Sequence, residues 1–250
     1  MPRQARKISN LSIHHVILRS VNQQIIFEDE MDYKQFLKIL RYYKKHCNFK
    51  LYAYCLMDNH IHLLIEHTTV ALDVIMKKIG IKFVVWYNRK YQRAGHLFQD
   101  RYRSEPVNDM RYFQIVFRYI HQNPLKAGLE NSLGIYPWSS YRDYAFSDSS
   151  FIDIEKILGL FRDHQECMEY LCARSDDKCM EYNTTSRFPD SEALKIIREK
   201  TICDSPSDFQ HMERAKRNQN LKILYQSGIS IRQLSRLTGI SRTSISNAVK

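Results

Sequence analysis

The sequence predicts an α+β protein, an antiparallel sheet with helices packed on a face and a helical module after it. Three observations predict it. Short runs rich in β-branched and apolar residues alternate with long stretches whose apolar residues recur at helical spacing, in the order β-α-β-β-α-β-α. Two of the strand-like runs flank Asp58-Asn59, a pair suited to a hairpin turn. After Trp138 the strand signals cease, and the end of the chain is polar and basic with a compact helical signature.

Ser12 to Ser20 reads as the first strand. Met31 to Cys47 carries Phe36, Leu37, Leu40 and Tyr43 as a helical stripe, with Lys34, Lys38, Arg41, Lys44 and Lys45 on its outer face. Leu51 to Met57 and Ile61 to Glu66 form the hairpin. Ala71 to Tyr91 is a second helix on Ile75, Ile79, Phe83 and Trp86. A short strand near Arg103 to Val107 precedes a third helix, Asp109 to Gln122, which Asn123-Pro124 is expected to stop. Asp148-Ser149-Ser150 reads as a loop, Ile152 to Leu171 as a helix, and Ser175 to Pro189 as a polar linker. These signals divide the chain into residues 1–145, a connector at 146–205 and a terminal module at 206–250.

The 250 residues hold 38 Lys+Arg against 27 Asp+Glu, a formal charge of +11 that favours polyanionic partners. An aromatic content of 12% supplies rings that can stack on unpaired bases. The six cysteines form no CxxC pair, so neither zinc spacing nor a secreted disulfide framework is indicated. No signal peptide or membrane-length apolar run is present, and the expected setting is cytoplasmic and nucleoid-associated. Neither GxxxxGK[ST] nor GxGxxG occurs, so no nucleotide cofactor is expected.

Three segments carry chemistry. His60 and His62, two apart on a strand, share a face, and paired imidazoles suit a divalent ion. Tyr119 and Asn123, four apart at the end of the third helix, share a helix face. A phenol can attack phosphorus, and an amide oxygen can join a metal's shell. The run Gly95 to Ser104, with His96, Arg101 and Arg103, suits phosphates and bases. Each segment alone has an ordinary structural reading too, as a strand face, a packed tyrosine or a solvated loop.

Together they resemble a known family. Met1-Pro2-Arg3, Ala53-Tyr54-Cys55-Leu56-Met57-Asp58-Asn59-His60-Ile61-His62 and Gly95-His96-Leu97-Phe98-Gln99-Asp100-Arg101-Tyr102 occur in family order. Tyr119-Ile120-His121-Gln122-Asn123-Pro124-Leu125-Lys126-Ala127-Gly128 follows, and Tyr136-Pro137-Trp138-Ser139-Ser140-Tyr141 closes the series. This resembles the single-tyrosine HUH transposases, and within them the REP-associated tyrosine transposases. The resemblance implies a ferredoxin-like sheet with the HUH pair on a central strand and the nucleophile on a neighbouring helix. It matches His60 and His62 to the metal pair, Mg2+ or Mn2+, and Tyr119 to a nucleophile that cuts single-stranded or hairpin DNA through a 5′-phosphotyrosine. Asn123 stands where relatives carry a third polar ligand, often the longer glutamine. Related mobile-element enzymes are dimers, whereas the REP-associated branch implies a monomer, which is slightly favoured.

The terminal module reads as a helix-turn-helix. Leu221, Ile223 and Leu224 start a helix ended by Gly228; Ser230 caps a second, Gly239 makes the turn, and Ser241 caps a third. Arg242, Thr243, Ser244, Ser246 and Asn247 would then face duplex DNA. Two other readings stay open here: a non-catalytic DNA-binding regulator on the same fold, and a sheet that presents RNA bases.

Overall fold

The computed structural model describes residues 10–21, 24–99, 101–147, 151–175, 177, 179–180, 190–201, 203 and 205–249. The Met1-Pro2-Arg3 match, Asp100, the loop expected at 148–150 and most of the linker expected at 175–189 lie outside them. The elements run β1 (Ile13–Arg19), α1 (Glu30–Cys47), β2 (Lys50–Met57), β3 (His60–Glu66), α2 (Leu72–Lys90), β4 (Arg103–Val107) and α3 (Met110–Lys126). Shorter helices follow: α4 (Tyr141–Ala145), α5 (Glu155–Leu158), α6 (His164–Cys172), α7 (Asp190–Lys200) and α8 (Asp208–His211). The last three are α9 (Arg214–Gln226), α10 (Ile231–Thr238) and α11 (Arg242–Val249).

The four strands form one sheet in the order β2-β3-β1-β4, every pairing antiparallel. The Asp58-Asn59 turn sets Met57 opposite His60 and so fixes the register of the central hairpin. The sheet is covered on both faces. Tyr119 of α3 meets the ring of His62 on one face, while α2 lines a cavity with Leu18 on the other, and α2 packs along α1. All seven residues of β1 are therefore buried, as in a sheet sandwiched between helices.

Local signals set the helix ends. Asp29 caps α1 through the amides of Met31 and Asp32, and Asn48 ends it in the left-handed region at φ 48°. Two expectations are corrected. The third helix does not stop at Asn123-Pro124 but runs a turn further, to Lys126. Pro124 denies Ile120 its usual helical partner, yet Ala127 N–H still donates to Asn123 and Leu129 N–H to Pro124. The helix expected over Ile152 to Leu171 is two helices, because Asp163 accepts from Glu166 N–H and starts α6 afresh.

The first core does not end at residue 145: Phe151, Ile152, Ile157, Cys167 and Leu171 belong to it. The segment 136–140 also joins the sheet beyond β2, through Leu56 N–H to Trp138 and Ser140 N–H to Tyr54. A second core joins α7 to α11 through Ala193, Ile197, Phe209, Leu221, Leu224, Leu234 and Ile245. Ile25, from the loop after β1, is buried in it. Glu28 ties the two cores together, accepting from the hydroxyls of Ser205, Ser207 and Tyr87. Gly239, at φ 70°, makes the turn between α10 and α11, and a side chain there would run into Gln210. No helix among the described residues is long and apolar enough to cross a membrane.

Candidate nuclease site

Strand alternation brings the chemistry to one face. His60 and His62 of β3 stand opposite Arg19 and Ile17 of β1, and Arg103 of β4 stands opposite Ile17 from the other side. His15, two residues along β1 on the same face, pairs in register with Glu105. Above this face α3 presents Tyr119, whose ring centroid lies 5.8 Å from those of both His15 and His62. The His15 and His62 rings lie nearly parallel, with 2.9 Å between His15 Nε2 and His62 Nδ1.

The two strand histidines are presented alike. His60 Nδ1 lies 2.6 Å from the Asn59 side-chain oxygen, which accepts its proton, while His62 Nδ1 is engaged by His15. Each ring is thus left its Nε2, and the centroids are 4.9 Å apart. Burial pushes both pKa values down, His60 to about 4 with help from the Arg19 charge, and His62 well below its ordinary value. Both rings are therefore neutral at pH 7, the form that binds a metal. Among the described residues no cluster of three or more His, Cys, Asp or Glu could hold an ion. A cation here would need the histidine pair supplemented by amide, phosphate or water oxygen.

The other residues of the helical motif do different work. Asn123, buried, donates its side-chain N–H to the Tyr119 carbonyl at 2.8 Å, which ties the amide to its own helix. His121, fully enclosed, donates from Nδ1 to Phe117 O at 2.9 Å and accepts at Nε2 from Ser140 at 2.8 Å, so it anchors α3 to the segment beyond β2. Gln122 donates to the carbonyls of Leu171 and Ala173. Lys126 sets its ammonium 4.8 Å from the Tyr119 ring centroid.

The sequence-predicted DNA residues fall in three places. Arg103 shares the histidine face and is exposed. His96 and Arg101 line an open cavity of about 810 Å³ with Leu18, Lys77 and Ile81, on the opposite, α2 side of the sheet. On α11, Arg242, Thr243, Ser244 and Asn247 are exposed and Ser246 half-buried, while Ile245 faces the core. Sequence reasoning missed Asn59, Arg19, His15, Glu105 and Lys126. The His14-His15 doublet and the Asp58-Asn59-His60 turn were the available signals.

The buried histidines carry a stability prediction. His14, His15, His60, His62 and His121 all have pKa values lowered first by desolvation, His121 to about 4. The unfolded chain, titrating near the ordinary 6.5, then binds protons first as pH falls. Stability is full above pH 6.5 and is lost as pH drops towards 4, by roughly 3 kcal/mol for His121 alone. Urea midpoints in chelator should fall steadily across that window; a flat profile would contradict neutral buried rings.

Residues 7–123 match the family described as transposase IS200-like. Of solved structures, one of a REP-associated tyrosine transposase bound to a REP hairpin superposes with a TM-score of 0.51 at 16% identity, covering 61% of this chain and 98% of that one. A candidate transposase from Deinococcus radiodurans reaches a TM-score of 0.35 at 18% identity, covering 46% of this chain and 92% of that one. No curated protein matches by sequence. At 16% identity the first likeness establishes the fold, with the four-stranded antiparallel sheet and its packed helices. The sequence match is confined to residues 7–123, and over that stretch the chain is similar to the IS200-like transposases.

Proposed function

We propose that this chain is a transposase of the IS200-like kind that cuts and rejoins unpaired DNA, with Tyr119 as nucleophile and His60 and His62 holding a divalent cation. The observation that carries the reading is the meeting of one phenol and two imidazoles on a single sheet face, with Nδ1 of each histidine engaged, His62 by His15 and His60 by Asn59, so that Nε2 is the nitrogen left to bind. The oxygen of Asn123 is the candidate third ligand. Of the two ions considered, Mn2+ accepts imidazole more readily than Mg2+, which demands oxygen. Bound there, the ion would supply positive charge to the non-bridging oxygens of the scissile phosphate.

Tyr119 Oη attacks phosphorus, the bond to the 3′ oxygen breaks, and that oxygen leaves as a 3′ hydroxyl after taking up a proton. The 5′ phosphate stays on the tyrosine. Because one phosphoester replaces another, rejoining by the 3′ hydroxyl needs no nucleotide. Arg19 and Arg103, beside the histidine rows, are suited to gripping the phosphates on either side. Tyr119 is only 3% exposed, so a strand reaches it only when the groups over it part. A hairpin is the substrate proposed, since the solved REP-associated relative was captured with one. Incubation with labelled single-stranded hairpins from DNA flanking the gene, with and without Mn2+, tests this by scoring a covalent adduct.

The terminal helices are proposed as a helix-turn-helix that reads duplex DNA through α11, whose polar residues face outward while Ile245 packs inward. Ile25 and Glu28 are packed against the terminal unit, so removing it would disturb the first core, and point changes are the cleaner probe. Arg242→Ala with Asn247→Ala should weaken duplex binding and lower the slope of log affinity against log salt by about one, for the single cation lost. Hairpin cleavage should be unchanged. Duplex binding equal to wild type at every salt concentration would remove α11 from DNA recognition.

A further inference from the structure

We infer that Glu105 and His15 are positioning residues that fix the tautomer of His62 and aim its Nε2 lone pair at the cation. This inference rests on the proposed metal role of His62. The three side chains form a line across three neighbouring strands, β4, β1 and β3. Glu105 and His15 are register partners, and His62 lies diagonally beyond His15 on the same face.

The direction of the line follows from elimination. His15 is fully buried, and its Nδ1 has no hydrogen-bond partner in the structure. Glu105 Oε2 stands 3.9 Å from that nitrogen. A bare lone pair facing the carboxylate would be repelled, so Nδ1 carries the proton. Glu105 is itself held in place, accepting from the Tyr112 hydroxyl at 2.6 Å and from Met180 N–H at 3.3 Å. Full burial disfavours the charged ring, so His15 is neutral, and protonated at Nδ1 it has only a lone pair at Nε2. Across the 2.9 Å contact His62 must then be the donor, through Nδ1–H. That leaves His62 Nε2 unprotonated, the tautomer that can ligate. His60 reaches the same state by a shorter route, through the adjacent Asn59 oxygen.

The test reads the proton positions without any metal. In 15N-labelled, metal-free protein, long-range proton–nitrogen correlation of the histidine rings should show His62 protonated at Nδ1 and bare at Nε2. His15→Leu should shift His62 away from that form and weaken Mn2+ binding, measured by titration calorimetry without DNA, about tenfold or more. His15→Gln, which keeps an acceptor near the position of Nε2, should restore both. Glu105 is partly exposed at the sheet edge, so Glu105→Gln is the variant to rely on if His15→Leu does not fold. It should reduce the Nδ1-protonated fraction of His62. Wild-type His62 protonated at Nε2 would overturn the inference whatever the metal does. So would a folded His15→Leu protein that keeps both the tautomer and the Mn2+ affinity. A wild-type protein with the expected tautomer that binds no Mn2+ would instead overturn the ligand reading of His62, and with it the purpose assigned to the line.

Discussion

Tyr119→Phe is expected to abolish the covalent protein–DNA adduct and to lower hairpin cleavage on the order of a thousandfold or more. Hairpin affinity should stay within about twofold. The variant keeps the ring, and with it the 5.8 Å contacts to His15 and His62 and the Lys126 ammonium over its face. Only the oxygen that attacks phosphorus is lost. The comparison separates nucleophile from packing residue: a packing role predicts wild-type adduct, since a phenylalanine fills the same space. Affinity and cleavage should be measured on the same preparation, by gel shift in chelator and by strand cutting in Mn2+. An adduct of normal yield would exclude Tyr119 from the chemistry.

The second large effect is at the histidine pair, where two substitutions should agree in activity and differ in stability. His60→Ala and His62→Ala should each remove metal-dependent cleavage, because one imidazole holds a divalent ion poorly. His60 is partly exposed and bonds to the neighbouring Asn59, so its loss should cost the fold little. His62 is 2% exposed and bonds to a fully enclosed His15, whose Nε2 would be left buried without a partner. That should cost about 1–3 kcal/mol, read as a lower thermal midpoint. Cleavage that survives in chelator, in the wild type or either variant, would end the metal proposal. Equal destabilisation by the two changes would contradict the asymmetry of their surroundings.

What could be read in the sequence depended on how local the signal was. The Asp58-Asn59 turn and the helical stripe of the second helix are local, and both stand where expected. The shared face of His60 and His62 follows from strand alternation alone. His15 was different. It lies 47 residues from His62, and the two meet only through the β1–β3 register, which no single strand reveals. Glu105 reaches His15 through a second register. The His14-His15 doublet was visible, but both faces of the sheet are covered, so alternation could not say which histidine faced the site. Asn123-Pro124 misled for a local reason: a proline in the last turn removes one hydrogen bond without ending the helix. The break before α6 was missed because Asp163 acts as a cap within an otherwise helical pattern.

The most direct measurement is the chemical identity of the protein–DNA bond. Wild-type protein would be incubated in Mn2+ with single-stranded hairpins from the flanking DNA, labelled separately at each end, then digested and sequenced by mass spectrometry. The account predicts one modified peptide, with Tyr119 joined to the 5′ phosphate of the downstream strand and a free 3′ hydroxyl on the upstream piece. Cleavage without a covalent adduct, or a phosphate on any residue other than Tyr119, would contradict it.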